Sequence, residues 1–512
     1  MGIYSVENIE YILRRILGNE RISSIVPENF KSQKENLKSH KDSKKTYSKQ
    51  LKQLRRELTK LNEDGRHACE DEDNEKKLLI QIEALEIKIK EEEIDIEEVE
   101  KEWNEAIGNY AKELLKKMRS RQLKPKIDDF VLFDKTTFKA GDLDSKVIEQ
   151  LIKEDIAKHY KKKPADRNCI IEQLRGLLGN KLPKCIIRAD IKGFFESVPI
   201  DKLLTKLEDE GYMSNITIGY LRMISYDVKR RGVDGLPRGL AYSSYLTEIY
   251  LQKADDKIRN LPNLYFYQRY VDDIVMLFSV RNDTYPRYRI NEGWRHWKSV
   301  KEIFNEEGLT LHEDNGKMAI IYSGKSNRNE FDYLGYKFII NAGELSVRLS
   351  SDRLEKYKTR ISAVINHYNR TAQDNESLPD IPQSLPKGER RRKRQQPLRR
   401  LFGQLSALTG NGMLKGPKSN ILTGVYYSNQ HITSIVDLEE LDEYLHKKIN
   451  RSLRIPNNLF RYTEDCRPDL MRREIKDIII KKWSFVDGFR NRRFCNNSSY
   501  FNRLKQIKEL SE

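Results

Sequence analysis

The chain has 512 residues, enough for two or three domains with sizeable hydrophobic cores. Its formal net charge of +17 and pI of about 9.3 predict a polyanionic partner. The five cysteines show no paired spacing, which argues against a disulfide framework or a zinc site, and no apolar run approaches the length of a membrane span, so a cytoplasmic protein without a membrane partner is expected.

The N-terminal part is predicted to be helical. A first amphipathic helix, capped by Ser5, has the apolar face Val6, Ile9, Ile12, Leu13 and Ile16. Two heptad-like runs follow, joined by the polar stretch Asn62 to Asn74, and they predict an antiparallel helical hairpin. This hairpin is either an arm for oligomerisation or RNA clamping, or a charged helix pair packed on its own body. The runs comprise Tyr47, Leu51, Leu54, Leu58 and Leu61, and then Ile82, Leu85, Ile89, Ile96, Val99 and Trp103, where Glu92 interrupts the seam.

Two segments in the middle of the chain combine apolar runs with turn residues. The strand Cys185 to Asp190 ends in a carboxylate, and Gly193 then permits a sharp turn. Further along, Gly235-Leu-Pro-Arg-Gly239 precedes an apolar helical run from Leu240 to Leu251. These glycines either let the backbone approach a ligand closely or simply form the loop that caps the helix.

The stretch Tyr265 to Phe278 predicts a β-hairpin with two adjacent carboxylates in its tight turn. An alternating aromatic half ends at Tyr270, an apolar half starts at Ile274, and Asp272 and Asp273 lie between them. Adjacent acids are ordinary in a solvated turn, but at the edge of a buried hairpin they repel one another and favour a divalent cation.

A third carboxylate strengthens the metal interpretation. If the strand that ends at Asp190 lies beside the hairpin, Asp190 and Asp272 meet at the same end of one sheet. Three carboxylates can hold two cations roughly 3.5–4 Å apart, an arrangement that stabilises the attacking and leaving oxygens in phosphoryl transfer.

These motifs resemble the palm of a reverse transcriptase. The resemblance lies in Tyr-Val-Asp-Asp from Tyr270, preceded by Arg269, and in Arg-Ala-Asp-Ile-Lys-Gly-Phe-Phe-Glu-Ser from Arg188. It implies DNA synthesis from dNTPs on an RNA template with two Mg²⁺ ions, and it implies roles for single residues. Asp190, Asp272 and Asp273 would be catalytic and, with Ile191, would hold metal; Phe195 would be the steric gate beneath the nucleotide sugar; Lys317 would protonate the departing pyrophosphate.

Other positions are tied to the nucleotide or to nucleic acid. Arg238 and Gly239 lie in a segment that resembles the family's Pro-Gln-Gly motif, with Arg238 where Gln is usual, so its guanidinium could reach a phosphate instead. Phe331 to Phe338 is predicted to be a glycine-containing strand and resembles the primer-grip hairpin, where Gly335 would approach the primer; Tyr270 is also expected to contact nucleic acid. A solvated lysine remains the alternative for Lys317.

The C-terminal part is predicted to be a thumb with additions. Residues 371–386 are expected to be a flexible loop. The basic run Arg390, Arg391, Arg392, Lys393 and Arg394 that follows is interpreted as a phosphate-binding segment, with a solvated loop as the alternative. Leu408 to Asn411 and Gly424 to Asn429 resemble defence-associated bacterial reverse transcriptases of the abortive-infection and "unknown group" branch.

The sequence therefore predicts an α+β right-hand polymerase with fingers, palm and thumb. The predicted division is a helical arm over 1–126, fingers and palm over 127–349, and a thumb with a basic extension over 350–512. The expected function is RNA-directed DNA synthesis in antiviral defence, with a noncoding RNA or protein priming and a possible homo-oligomer formed through the N-terminal helices. The alternatives are a retron or group II intron type reverse transcriptase and a catalytically silent RNA-binding scaffold.

Overall fold

The computed structural model describes residues 2–18, 24–63, 69–132, 134–161, 165–280, 286–314, 316–323, 328–341, 343–377, 387–414, 421–455, 468–495 and 500–511. The chain forms two compact units, one comprising Met1–Pro164 with Gly193–Lys253 and the other Ala165–Lys192 with Ala254–Glu512. Helices and antiparallel strands are both extensive, which confirms the predicted α+β class. The three-part division at residues 126 and 349 stays a prediction.

The first unit is mainly helical. Its elements are α1 (Val6–Leu17), α2 (Glu28–Glu63), α3 (Cys69–Arg119), β1 (Ile127–Leu132), β2 (Lys135–Ala140), α4 (Leu143–Tyr160), α6 (Phe194–Ser197), α7 (Ile200–Glu210), α8 (Asn215–Arg230) and most of α9 (Ser243–Arg259).

The predicted N-terminal helices are confirmed. The Ser5 hydroxyl caps α1 by accepting a hydrogen bond from the Asn8 backbone N–H at 3.3 Å. Helices α2 and α3 pack against each other in antiparallel orientation, as the Lys44–Glu93 and Arg55–Glu86 ion pairs at 2.8 and 2.6 Å show. Glu92, which interrupts the apolar seam, lies 2.7 Å from Nδ1 of His40 on α2, so a polar pair bridges the seam at that point.

The second unit contains the remaining elements. They are α5 (Arg167–Leu178), β3 (Lys184–Asp190), β4 (Leu264–Tyr270), β5 (Asp273–Ser279), α10 (Pro286–Glu306), β6 (Ala319–Ser323), β7 (Arg328–Tyr333), β8 (Tyr336–Asn341), β9 (Glu344–Leu349), α11 (Ser351–Ser377), α12 (Lys387–Thr409), β10 (Asn411–Leu414), β11 (Ile421–Gly424), α13 (Val425–Asn429), α14 (Val436–Ser452), α15 (Pro468–Lys482), α16 (Phe485–Arg490) and α17 (Tyr500–Ser511).

The two larger antiparallel sheets of this unit have four and three strands, and β10 and β11 form a separate antiparallel pair. The first has the strand order β4-β5-β3-β6, and the second has the order β7-β8-β9. One hydrophobic cluster includes residues of both sheets and of the C-terminal helices, among them Ile186 on β3, Leu277 on β5, Phe338 on β8 and Leu441 on α14. The first sheet therefore packs into a buried core that it shares with the second sheet and the C-terminal helices.

Two predictions about local structure in this unit are wrong. Phe331 to Phe338 is not one strand: β7 and β8 pair as a hairpin, as the resemblance to the primer-grip hairpin implies, and the turn is Leu334-Gly335 with Gly335 at φ +76°. The loop predicted from residue 371 begins later, since α11 continues to Ser377; residues 378–386 lie outside the described residues. Within the described parts of the chain, no helix is both apolar enough and long enough to cross a membrane.

Candidate active site

The β4–β5 hairpin presents the two adjacent carboxylates as predicted. Tyr270 pairs with Asp273 across the hairpin, so Val271 and Asp272 form a two-residue turn and Asp273 begins β5. Val271 has φ +59°, which is unusual for a β-branched residue and marks a turn held under strain. The tight turn places the two acids next to each other at the end of the sheet.

Asp190, the third acid, lies at the same end of the sheet as Asp272 and Asp273. Strand β3 lies between β5 and β6, and its register sets Asp190 directly opposite Asp273. The Ile191 backbone N–H donates to the Asp272 carbonyl at 3.2 Å, which ties the end of β3 to the hairpin turn. The prediction that the two motifs converge is therefore confirmed by the strand pairing, and Asp190 is only 5% exposed.

Crowding of acids changes the electrostatics of this sheet end. Burial and, next, the Asp272 carboxylate raise the pKa of Asp273 to about 6, against the lowering effect of Arg188. Burial and the neighbouring negative charge disfavour the ionised form of Asp273, and a bound cation would stabilise that form. The three residues thus bring to one sheet end hard oxygen ligands of the kind that Mg²⁺ prefers.

Lys317 joins the acidic cluster. Its ammonium donates to Oδ2 of Asp190 at 2.9 Å, and this hydrogen bond raises the pKa of Lys317 above its usual value. The lysine is therefore a protonated, half-exposed cation directly beside the acidic residues. Its hydrogen bond to Asp190 distinguishes it from a lysine that contacts only solvent. Its place next to Asp190 is what a proton donor to a leaving group there would need.

Several supporting residues were not predicted from the sequence. His312 contacts Asp190 twice: its backbone N–H donates to the Asp190 carbonyl at 2.9 Å, and its Nε2 lies 3.7 Å from Oδ1. Arg269 forms a buried ion pair with Asp255 at 3.0 Å and donates to the Val271 carbonyl at 3.0 Å. The sequence signals were a histidine five residues before Lys317 and an arginine before the hairpin turn.

The predicted nucleotide contacts lie together in the first unit. Phe194 is buried, 1% exposed, whereas Phe195 is partly exposed, which agrees with Phe195 as the ring that faces a ligand. The Arg238 guanidinium lies 5.0 Å from the centre of the Phe195 ring and pairs with Glu196 at 3.1 Å. Gly239, at φ +98°, leaves no room for a side chain, because a Cβ there would lie 2.5 Å from the Phe138 carbonyl.

The remaining predicted contacts are more scattered. Tyr270 is half-buried and packs against the hydrophobic cluster. The space beside Gly335 is filled by the Arg353 guanidinium, 2.5 Å from where a Cβ would lie. The side chains of Arg390, Arg391, Arg392, Lys393 and Arg394 lie outside the described residues, so their phosphate-binding role stays a prediction.

Comparisons with solved structures return distant polymerases. The chain aligns with telomerase from Candida albicans in complex with the TWJ fragment of telomeric RNA (11% identity, TM-score 0.33, 71% of this chain and 54% of that chain). It also aligns with apo telomerase from Candida tropicalis (11% identity, TM-score 0.33, 76% and 65%) and with the RNA-dependent RNA polymerase of BmCPV (9% identity, TM-score 0.28, 78% and 44%). The chain spans less than two thirds of the length of these proteins. No curated protein matches the sequence.

A family model gives a direct match. The family described as reverse transcriptase (RNA-dependent DNA polymerase) matches residues 139–338. This range contains the three carboxylates, Lys317 and the Phe195–Arg238 pair, so the match and the geometry concern the same residues. Residues 139–338 are therefore similar to the reverse transcriptase family.

Proposed function

We propose that the protein is an RNA-directed DNA polymerase that makes DNA from dNTPs on an RNA template. The observation that carries this proposal is the convergence of Asp190, Asp272 and Asp273 at one end of a buried sheet within the range that is similar to the reverse transcriptase family. Three crowded acids destabilise the folded state unless bound cations neutralise their charge.

Residues of this chain have distinct tasks in the proposed reaction. Asp190, Asp272 and Asp273, with the backbone of Ile191, would hold two Mg²⁺ ions, which would stabilise charge on the entering 3′-oxygen, the phosphoryl group and the leaving pyrophosphate. Lys317, protonated beside Asp190, donates a proton to the pyrophosphate oxygen as the bond breaks. His312 and the Ile191 N–H keep Asp190 and the hairpin turn in place.

Selection of the sugar is assigned to Phe195. The ring next to it, Phe194, is committed to the core, which leaves Phe195 as the partly exposed ring of the pair. A rigid ring beneath the sugar leaves no space for a 2′-hydroxyl, so deoxynucleotides are preferred. Gly239, Tyr270 and Gly335 are proposed to contribute backbone or ring contacts to the nucleotide, template and primer.

The test of polymerase activity is Asp272→Asn with Asp256→Asn as the matched control. Asp256 is an exposed acid in the same unit whose side chain pairs only with Arg259 among the contacts described. Primer extension on an RNA template should fall by at least about 10²-fold in Asp272→Asn, the scale on which electrostatic groups act in other active sites, and stay unchanged in the control. Equal extension by wild type and Asp272→Asn would overturn the proposal.

For the cellular role, we propose bacterial antiviral defence, with synthesis in the cytoplasm on an associated noncoding RNA or from a protein hydroxyl. The support is the resemblance of Leu408 to Asn411 and Gly424 to Asn429 to defence-associated reverse transcriptases. Phage plaque counts on bacteria that express wild type or Asp272→Asn test the role. Protection by the wild type alone is expected, and equal protection by the variant would favour a silent RNA-binding scaffold instead. Sequencing the nucleic acid that purifies with the protein tests the template and the primer.

A further inference from the structure

Helix α3 has a second apolar row on the side away from α2. Ile80, Ile87 and Ile94 are spaced by seven residues and are 66%, 52% and 65% exposed. The seam toward α2 lies on the opposite face, where Ile82 is 8% exposed. Isoleucines at heptad spacing are the pattern of a helix that pairs with another helix, and an exposed row of this kind marks an interaction surface.

The charges beside this row indicate what covers it. With the isoleucines at heptad position d, the flanking g positions are Lys76, Glu83, Lys90 and Glu97, so the sign alternates along the helix. When two copies of α3 lie antiparallel, g residues face g residues: Lys76 meets Glu97, and Glu83 meets Lys90. In a parallel pair, Glu91 at position a would face its own copy. The g positions are therefore self-complementary in the antiparallel orientation, while at the e positions Lys88 faces its own copy.

We infer that α3 pairs with α3 of a second copy of this chain, in antiparallel orientation, through the row Ile80, Ile87 and Ile94. The helical hairpin is then a dimerisation arm, with α2 covering one face of α3 and the second copy covering the other. The row lies wholly within α3, so the assembly does not depend on the reaction at the carboxylates.

Native mass spectrometry and light scattering of the full-length protein measure this assembly. Wild type is expected to be a dimer, and Ile80→Ser with Ile87→Ser and Ile94→Ser is expected to be a monomer that retains primer extension. The matched control replaces Leu182, Tyr212 and Tyr226 by Ser, three apolar residues of similar exposure (67%, 63% and 67%) elsewhere on the chain, and should remain dimeric. A monomeric wild type, or a dimeric isoleucine variant, would overturn the inference.

A charge exchange tests the orientation. Glu83→Lys should weaken the dimer about tenfold, because two attractive pairs become repulsive. Adding Lys90→Glu restores both pairs if the helices are antiparallel. In a parallel pair, Lys90→Glu would instead create repulsion with Asp95 of the other copy, so further weakening in the double variant contradicts the antiparallel arrangement.

A separate observation concerns Arg238. Its guanidinium lies over the Phe195 ring at 5.0 Å and is held by Glu196, with Nε and Nη2 at 3.2 and 3.1 Å from Oε1. The backbone below is also fixed, since the Leu236 N–H donates to the Phe195 carbonyl at 2.7 Å. The cation and the ring therefore form one packed unit with Glu196 as its anchor.

We propose that Arg238 is a positioning residue that holds Phe195 and thereby sets sugar discrimination. This rests on the proposed function of Phe195 as the gate. A guanidinium already paired with a carboxylate and stacked on a ring is suited to orienting that ring, in contrast to the phosphate contact that the sequence suggests.

The test compares Arg238→Gln in the wild-type and Phe195→Ala backgrounds by the ratio of dNTP to rNTP incorporation efficiency. In the wild-type background the ratio should fall about 2- to 5-fold, the size of a partly exposed cation–π contact, with partial rescue by Arg238→Lys. In the Phe195→Ala background Arg238→Gln should change nothing. Arg492→Gln, which removes an arginine stacked on Tyr426 at 4.4 Å, is the matched control.

The outcomes separate the two proposals. If Phe195→Ala alone leaves the ratio unchanged, the gate assignment fails. If Phe195→Ala changes the ratio but Arg238→Gln acts equally in both backgrounds, or raises the KM of both nucleotides alike, the positioning role of Arg238 fails and a phosphate contact replaces it.

Discussion

Replacing Asp273 by Asn should stabilise the metal-free protein while abolishing DNA synthesis. Asp273 is partly buried beside Asp272, and these two causes raise its pKa from 3.8 to about 6. A raised acid pKa means that the folded state binds the proton more tightly than the unfolded state does. The corresponding stability is present below about pH 4 and is lost as the pH rises through 6. Asn is neutral at every pH, so the Asp273→Asn variant does not lose this stabilisation as the pH rises.

The pKa change sets the size of the effect. A difference of about 2 pKa units at about 1.4 kcal/mol each gives about 3 kcal/mol at pH 8. At pH 5 the folded wild type has bound most of its proton, so the advantage of Asn falls to roughly half. For a unit of this size, about 3 kcal/mol corresponds to a rise in melting temperature of roughly 5 °C.

Differential scanning calorimetry in EDTA at pH 8 and pH 5 measures both values. With Mg²⁺ at pH 8 the wild type should gain stability and the variant should gain less, because a cation binds the folded state with its full set of carboxylates. Asp256→Asn is the control, since Asp256 is an exposed acid outside the cluster. Equal melting temperatures of wild type and Asp273→Asn in EDTA at pH 8 would refute the electrostatic argument.

Three further predictions concern other residues. Phe195→Ala should admit rNTPs that the wild type rejects, as matched dNTP and rNTP incorporation rates measure; an unchanged ratio would move the gate away from this ring. Lys317→Gln should lower kcat by about 10²-fold or more with little change in the dNTP KM, because the proton donor is removed, and single-turnover rates check it; a wild-type rate would remove its catalytic role. Replacing Arg390, Arg391, Arg392, Lys393 and Arg394 by Ser should reduce the slope of log affinity against log salt by up to about 0.9 for each duplex phosphate that the variant no longer neutralises, without changing incorporation at saturating primer–template; an unchanged slope would indicate a solvated segment.

The convergence of the acidic residues can be predicted from the sequence because each acid lies next to a strand that is recognisable from its own neighbouring residues. Asp190 ends a strand and Asp272 follows a strand, so their convergence requires only that β3 and β5 be neighbours. The helical arm is likewise predictable from its heptad spacing. The sequence does not place the partner of Glu92, which lies 52 residues away at His40, and so it indicates only a break in the seam.

Predictions fail where a residue's role depends on a distant neighbour. Apolar residues on both sides of Leu334-Gly335 favour a single strand, whereas the structure pairs β7 with β8 as a hairpin with its turn at these two residues. Nothing around Arg238 in the sequence indicates an ion pair with Glu196, 42 residues earlier, so its paired state is not predictable. In both cases the sequence indicates the type of residue but not the residue or strand that it pairs with.

Arg269 shows how such a partner explains a feature of the active site. Val271 at φ +59° carries a strain of about 1 to 3 kcal/mol, which an unsupported turn would relieve by moving Asp272 away from Asp190. Arg269 prevents this, because it donates to the Val271 carbonyl at 3.0 Å while Asp255 fixes its guanidinium at 3.0 Å in a buried ion pair. Removing one partner of a buried pair leaves an unpaired buried charge and destabilises by about 3–5 kcal/mol, so Arg269 cannot leave Asp255 at low cost and stays beside the strained turn. The arginine that precedes the turn in the sequence thus positions the two aspartates that follow it.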